Sequence, residues 1–320
     1  MGKLFEVIKS GLATSVQDLG RTGFQQYGVV VSGAMDSFAL QVANLLVGNL
    51  RDEAGLEVVI MGPELFVLED TVLAICGADL SPKLDGKPVA GWKSFIAKKG
   101  QRLSFGQPQN GSYAYIAAAG GINTPPVMGS RSTYTKAGIG GFEGRHLQKG
   151  DRLEAGEVKF PLKHLSGRGL FEPAVPNYAR QRKIRVVLGP DQHSFKDDVL
   201  KKFCTSTFKM TSQSDRMGYR LEGPELSHVN GADIISDAIL PGAIQVPASG
   251  QPIILLADRQ TTGGYARIAT VVSSDLPYVV QKLSGSELEF QAVSVEKAQR
   301  LYVSRELLLR KLSLRAGNML

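Results

Sequence analysis

Short, apolar, β-rich runs separated by glycine and proline recur throughout this sequence, and they limit the fold more than any other feature. The clearest of these runs are residues 65–75, 113–117, 184–188, 253–257 and 268–272. Several of them are too short to form helices, and their spacing is typical of strands in β-barrels and sandwiches. We therefore predict a mainly β fold.

Two segments predict helices, and both are read from apolar periodicity. Over residues 36–48, Asp36 is placed as an N-cap and a glycine marks the end. A second helix is expected over residues 295–317, with a break near residue 303. Residues 194–203 form a weaker candidate, because aromatic and aliphatic side chains recur there at every fourth position. The fold should therefore contain only a few helices.

The chain length of 320 residues corresponds to about two domains. Between residues 157 and 182 the pattern loosens and prolines accumulate, which indicates a boundary. We predict a first barrel with a helical insertion over residues 1–165, a linker over residues 166–182, and a second barrel with a C-terminal helix over residues 183–320.

Short motifs recur in the same order in the two halves of the chain, and we call this the internal echo. Residues 21–24, Arg-Thr-Gly-Phe, match residues 216–219, Arg-Met-Gly-Tyr, and a Gly-Pro-Glu-Leu run follows in each half. Each half then has an apolar strand that leads into a glycine pair. The shared order predicts a duplicated β-rich unit. Chance matches of four residues are the alternative explanation.

Composition excludes several classes of function. The net charge of +7 would suit an anionic partner, but there is no zinc finger or RNA-recognition strand, so we expect solvated basic faces and no nucleic-acid partner. No apolar run is long enough to span a membrane, and no signal-peptide cleavage site follows the N-terminus, so a cytoplasmic protein is expected. Two cysteines and four histidines lack ligand spacing, so no metal site is expected.

Polar residues concentrate in three places that are candidates for chemistry. The first is residues 17–23 together with residues 32–36, which lead into the first predicted helix. A helix N-terminus can bind an anion. Because Asp36 is well placed to satisfy those backbone donors itself, we favour a structural cap at this position.

The second candidate combines Gly129-Ser-Arg-Ser-Thr133 with the glycine-rich residues 138–145. We predict Arg131, Thr133 and Arg145 as substrate-binding residues, because arginine binds carboxylate or phosphate with two hydrogen bonds and glycine allows close approach of the backbone. The alternative is a structural loop whose arginines pair with Glu143 or Asp151.

The third candidate is a polar loop, residues 258–264, directly after an apolar strand. A polar loop on a rigid scaffold is where binding sites are usually built. We expect Asp258 and Arg259 to pair and fix the loop, and the remaining side chains to hold an amide or a carboxylate. The assigned catalytic residues are Asp258, Arg259, Gln260 and Thr261, and the substrate-binding residues here are Thr262, Gly263 and Gly264. A plain structural turn is the alternative.

Taken together, these motifs resemble the KipA family, whose members are also known as the C subunits of 5-oxoprolinase or as allophanate hydrolase subunit 2-like proteins. The family is related to the carboxyltransferase region of urea carboxylase. The resemblance rests on residues 15–23, 32–36, 43–49, 129–133, 140–147 and 258–265. It covers nearly the whole chain, and no clear departure from the family pattern is present.

The resemblance implies tandem cyclophilin-like β-barrels and a complex with two further 5-oxoprolinase subunits, the A subunit and a KipI-like B subunit. Such a complex opens the lactam 5-oxoproline to glutamate at the expense of ATP. This sequence has no P-loop, so we expect the complex to bind ATP and the chain alone to be inactive. The family also implies two alternatives: regulation of a KipI-like inhibitor of a sensor kinase, and a carboxyltransferase role on urea-type amides. A biotin attachment site is absent from the sequence.

Overall fold

The computed structural model describes residues 2–317, which divide into two compact units. Within this range, unit 1 comprises residues 2–21, 32–179 and 307–317, and unit 2 comprises residues 22–31 and 180–306. The division after residue 179 falls inside the predicted linker. Residues 22–31 belong to unit 2 and residues 307–317 to unit 1, whereas the predicted ranges place them in the first and second barrel. Membership of a unit depends on contacts between segments distant in sequence.

Unit 1 is built mainly from strands, and α1 is its one helix longer than a turn that lies wholly inside it. In chain order its elements are β1 (Gly2–Lys9), β2 (Ala13–Gln17), α1 (Ser37–Leu46), β3 (Gly55–Val59), β4 (Glu64–Val67), β5 (Thr71–Asp79), β6 (Lys83–Leu84), β7 (Lys87–Pro88), β8 (Lys93–Ala97), β9 (Arg102–Ser104), β10 (Asn110–Ala118), β11 (Arg152–Ala155) and α2 (Leu162–Leu165).

These strands form two sheets with a common core. One sheet has the order β11-β1-β4-β9-β6-β7 and the other has the order β2-β3-β10-β5-β8. Phe5 and Leu65 from the first sheet and Leu56 and Ile116 from the second belong to a single buried apolar cluster. Apolar side chains of both sheets therefore meet in one shared core.

Helix α1 is buried along its whole length except at Ser37, and it packs against β5 and β10. The side chain of Asp36 accepts a hydrogen bond from the Ala39 amide at 3.0 Å, which caps the helix N-terminus. The predicted cap and helix are confirmed. Burial of nearly the whole helix fits the apolar residues that occupy most of it.

Unit 2 contains a closed barrel. Its elements are β12 (Ile184–Leu188), α3 (Asp197–Thr205), β13 (Thr207–Met210), β14 (Gly218–Glu222), β15 (Asp233–Ala238), β16 (Ala243–Gln245), β17 (Ile253–Leu255), β18 (Thr262–Tyr265), β19 (Arg267–Val271), α4 (Leu276–Val280) and β20 (Glu287–Ala292). The barrel order is β12-β19-β16-β17-β14-β13-β20, and the barrel closes through parallel pairing of β12 with β20.

Three aromatic rings pack together in this unit. Phe203 of α3 stacks on Phe290 of β20 with ring centroids 4.6 Å apart, and Phe208 of β13 contacts both rings. All three side chains are fully buried. Strands β15 and β18 form a separate two-stranded ribbon outside the barrel ladder.

The C-terminal helix α5 runs from Val295 to Arg315, so the helix is confirmed, but the expected break near residue 303 is wrong. The weaker candidate over residues 194–203 is a short 3₁₀ turn followed by α3, which starts at Asp197. The predicted mainly β fold with a few helices is confirmed. Across the described residues, every helix is too short or too polar to cross a membrane.

Candidate active site

The polar loop of residues 258–264 is anchored in unit 2 by an ion pair between Arg216 and Asp258. Arg216 donates from Nε and Nη2 to the two carboxylate oxygens of Asp258, at 2.9 and 3.0 Å. The Asp258 amide also donates to the carbonyl oxygen of Arg216 at 2.9 Å. Strands β14 and β17 are neighbours in the barrel, so this pair joins two adjacent strand ends. The predicted pairing of Asp258 with Arg259 is wrong.

Arg259 is buried, and it holds the loop through backbone contacts. Its Nε donates to the carbonyl oxygen of Ile239 at 3.0 Å, and its Nη1 donates to that of Leu256 at 3.1 Å. Burial lowers the pKa of this guanidinium from its usual range. With only 6% of its surface exposed, Arg259 supports the loop and does not present its charge to solvent.

The next three residues present polar groups at the surface of unit 2. Gln260 and Thr262 are exposed and Thr261 is half-buried. The carbonyl oxygen of Thr261 accepts a hydrogen bond from the Ile239 amide at 3.0 Å. Thr262 then begins β18, which pairs with β15. The loop therefore offers one amide and two hydroxyl groups from a backbone that is fixed at both ends.

Close packing around Gly263 brings a second amide side chain to the loop. A Cβ atom at Gly263 would lie 2.6 Å from Nε2 of Gln245, so a larger residue would displace that side chain. Gln245 is buried, and its Nε2 donates to the carbonyl oxygen of Tyr265 at 3.1 Å. The sequence did not indicate Gln245 as a site residue, because nothing around its position on β16 shows that it contacts this loop. Gly264 would meet ordinary contacts only.

Unit 1 holds a second polar group, which we call the Asp18 cluster: Asp18, Ser130, Arg131, Ser132 and Thr133. The Asp18 carboxylate accepts hydrogen bonds from both serine hydroxyls and from the Arg131 amide. It also accepts a hydrogen bond from the Gly20 amide at 2.7 Å. One buried carboxylate therefore folds residues 130–133 around itself.

The three predicted binding residues of unit 1 differ in how they are held. Thr133 is buried, and its Oγ1 donates to the Val16 carbonyl at 2.9 Å, which is a structural contact. Arg131 is half-buried and donates from Nε to the Thr124 carbonyl at 2.8 Å. Arg145 bridges Glu143 and Asp151, with both ion-pair distances at 2.7 Å. The alternative of a structural pairing therefore holds for Arg145.

Glu53 is influenced by the charge of Arg131. The sequence did not indicate it as a site residue. Burial raises the pKa of the Glu53 carboxyl, and the charge of Arg131 opposes that rise. A carboxyl group whose pKa is shifted by burial and by a specific charge is a candidate for a functional site. Nothing in the local sequence around residue 53 distinguishes it from a surface glutamate.

The segment that precedes α1 is fixed by buried hydrogen bonds. Tyr115 Oη accepts from the Asp36 amide and donates to Glu57, each at 2.7 Å. Tyr178 Oη donates to the Asp36 carboxylate, also at 2.7 Å. Asp36 is fully buried, so this helix end is a structural cap, as the sequence favoured. Within residues 2–317, no three or more His, Cys, Asp and Glu side chains are grouped to hold a metal ion.

Comparison with known proteins gives the family. The model of the carboxyltransferase domain, subdomains A and B, matches residues 27–292, most of the chain. The chain belongs to this carboxyltransferase-domain family. The KipA-type resemblance inferred from the motifs is thereby confirmed at the level of the family.

Alignments with relatives cover nearly the whole chain. It is 40% identical to the 5-oxoprolinase C subunit of Escherichia coli K12 over 98% of this chain and 99% of that protein. It is 35% identical to the 5-oxoprolinase C subunit of Haemophilus influenzae over 96% of each. The crystal structure of K. lactis urea amidolyase matches 97% of this chain with a TM-score of 0.90 and 30% identity, and the chain spans 20% of that protein.

Proposed function

We propose that this chain is the C subunit of an ATP-dependent 5-oxoprolinase, which hydrolyses 5-oxoproline to L-glutamate together with the A subunit and a KipI-like B subunit. The observation that carries the proposal is the identity of 40% to a C subunit of similar length, over 98% of one chain and 99% of the other. We place the complex in the cytoplasm, where ATP is available.

The proposed substrate suits the groups that the loop of residues 258–264 presents. A lactam has one carbonyl acceptor and one N–H donor, and 5-oxoproline adds a carboxylate. The Gln260 amide and the hydroxyls of Thr261 and Thr262 supply both donors and acceptors for such a molecule. Asp258 and Arg259 do not contact the substrate in this proposal; they hold the loop in position. Ring opening adds one water across the lactam C–N bond, which leaves a new carboxylate and a free amine.

In unit 1, Arg131 is our candidate for contact with an anionic ligand. Arg145 is already held by two carboxylates, and Thr133 is buried against the backbone of β2. Arg131 is half-buried, and arginine binds phosphate or carboxylate groups well. In unit 2, Gly263 contributes to the site by allowing the loop to approach Gln245 closely.

ATP is a poor fit to the N-termini of the three longest helices that the structure describes, α1, α3 and α5. A helix N-terminus binds phosphate through free amides and a positive dipole end. Here Asp36 occupies the start of α1, α3 has Asp197 and Asp198 in its first turn, and α5 has Glu296 in its first turn. Acidic side chains at these positions repel a polyphosphate. We therefore assign ATP to one of the companion subunits, and we expect this chain to be inactive alone.

A second candidate function is carboxyl transfer to a urea-type amide. The family model and the K. lactis urea amidolyase structure favour it. We rank it below lactam hydrolysis because the identity is 30% there and 40% to the C subunit of E. coli. The test is to incubate the complex with urea, bicarbonate, ATP, a biotin carboxylase and its biotinylated carrier protein, and to measure carboxylated urea.

Deletion of the gene tests the proposed function in the cell. We expect the deletion strain to accumulate 5-oxoproline and to lose growth on it as nitrogen source, with both restored by the wild-type gene. An unchanged phenotype would contradict the proposal and favour regulation through a KipI-like inhibitor of a sensor kinase.

A further inference from the structure

Helix α5 carries two apolar stripes, although a surface helix needs one. On its inner side Leu309 is fully buried, and Leu301, Leu308 and Leu312 are half-buried. On its outer side, apolar residues stand in solvent at intervals of four and seven residues. They are Val303, Leu307 and Leu314, exposed by 52%, 50% and 61%. Within residues 2–317, the packing of the chain therefore leaves about half or more of each of these side chains in solvent.

The outer stripe follows the spacing of a helix–helix seam. Arg300, Val303, Leu307, Arg310 and Leu314 succeed one another at intervals of three, four, three and four residues. This alternation keeps one face of a helix against a second helix, as in coiled coils. We call these five residues the α5 seam. This spacing suits a helical partner that lies along α5.

The charge of α5 indicates what kind of helix would bind. The helix carries six basic residues, Lys297, Arg300, Arg305, Arg310, Lys311 and Arg315, and two acidic residues, Glu296 and Glu306. Its net charge of +4 is more than half of the +7 of the whole chain. A second copy of α5 would bring like charges together, whereas an acidic helix would be attracted.

We propose that the α5 seam docks an acidic amphipathic helix of a companion subunit in the 5-oxoprolinase complex. This proposal rests on the proposed function, because it takes the A and B subunits as the source of that helix. Two relatives are named as C subunits, a name that implies companions. In K. lactis urea amidolyase the matching region is one fifth of a longer chain, so further protein accompanies it there.

The test is binding of the purified A and B subunits to full-length variants of this chain, measured by biolayer interferometry. The double variant Leu307→Glu, Leu314→Glu should bind roughly 30-fold or more weakly than the wild type, as for the loss of central interface residues. Tyr302→Glu is the matched control, because Tyr302 lies on the same helix, off the seam, with 53% exposure. It should bind within about twofold of the wild type. Circular dichroism confirms that each variant is folded.

A charge test uses Arg300→Glu with Arg310→Glu. We expect binding to weaken, and we expect the wild-type affinity to fall as salt rises, because exposed charges are screened. Equal binding by wild type and both double variants would overturn the proposal. So would an absence of binding by the wild type to both companion subunits.

The same variants also test two other binding partners for the seam, a second copy of this chain and a membrane surface. A wild-type dimer in sedimentation that Leu307→Glu, Leu314→Glu abolishes would overturn the proposal in favour of a second copy. Seam-dependent binding to phosphatidylserine vesicles would overturn it in favour of a membrane surface. Glutamate release is assayed separately: a complex that assembles through the seam but releases no glutamate would refute the proposed function and leave the docking site standing.

Discussion

Arg216 and Asp258 lie 42 residues apart in sequence and form a two-point ion pair between the ends of neighbouring barrel strands. Their side chains are 17% and 7% exposed, so most of the pair is removed from solvent. The pair fixes the first residue of the loop that we propose as the lactam-binding site. The position of Gln260 and Thr261 therefore depends on an arginine from a distant part of the chain.

Asp258→Asn should destabilise the isolated chain by about 3 kcal/mol, because it removes the carboxylate charge that faces a mostly buried guanidinium. The measurement is the midpoint of urea unfolding. Arg216→Lys serves as a control that keeps the positive charge but loses the two-point geometry, and it should cost less. An unfolding midpoint for Asp258→Asn equal to that of the wild type would show that the pair adds no stability.

Gln260→Ala and Thr261→Ala, made separately, should lower the turnover of the assembled complex by about ten- to a hundredfold. A hydrogen bond to a charged group contributes roughly 1.5–3 kcal/mol, which corresponds to that loss. The melting temperature of Gln260→Ala should barely move, because exposed loop substitutions cost under about 0.5 kcal/mol. That of Thr261→Ala should fall only slightly, because this side chain is half-buried. Gln213→Ala, at an exposed glutamine of the same unit, should leave turnover unchanged.

Wild-type kinetics in both loop variants would show that residues 258–264 are a structural turn. Arg131 would then be the next candidate for substrate binding. A parallel fall in turnover and melting temperature would place the loop in the packing of the barrel.

The Asp191–Arg267 pair predicts an acid-sensitive contribution to stability. Burial raises the pKa of Asp191, but the hydrogen bonds from Arg267 outweigh it and hold the pKa below its usual range. Because the folded-state pKa is depressed, the pair stabilises the fold above about pH 4 and loses this effect as pH falls through the folded pKa. Asp191→Asn should lower the free energy of unfolding by about 2 kcal/mol at pH 7.

The measurement for this pair is urea unfolding at a series of pH values. The gap between wild type and Asp191→Asn should narrow below about pH 4. A gap that stays constant over the whole series would show that the ionised carboxylate is not its source.

Asp18→Ala should release residues 130–133, since four donors lose their common acceptor. Hydrogen exchange at the amides of Arg131 and Ser132 should accelerate at least tenfold, which corresponds to about 1.4 kcal/mol of local stability. Asp18→Asn keeps one acceptor oxygen and should show a smaller effect. Unchanged exchange in Asp18→Ala would mean that the loop is held by other contacts.

The local part of the fold could be predicted from the sequence. Asp36 and the apolar residues after it define α1, because caps and helical periodicity are short-range signals. The same reasoning gave α5, although it placed a break where the helix is continuous. The closure of unit 2 by β12 and β20 could not be predicted, since it joins strands about a hundred residues apart in sequence.

The candidate site shows the same limit. The loop of residues 258–264 is visible in sequence as a polar run after a strand, but its ion-pair partner is not. Arg259 stands next to Asp258, yet the barrel places Arg216 against that carboxylate and buries Arg259 against backbone carbonyls. Arg216 carried one signal, its place in the internal echo with Arg21. Gln245 and Glu53 carried none, because both acquire their surroundings through tertiary contacts.

The central claim is tested most directly by glutamate release from 5-oxoproline with purified subunits. We predict ATP-dependent release when this chain is combined with the A and B subunits, and no release from this chain alone or from A and B without it. Full activity of the lone chain, or activity of the other subunits that does not change when this chain is added, would contradict the account.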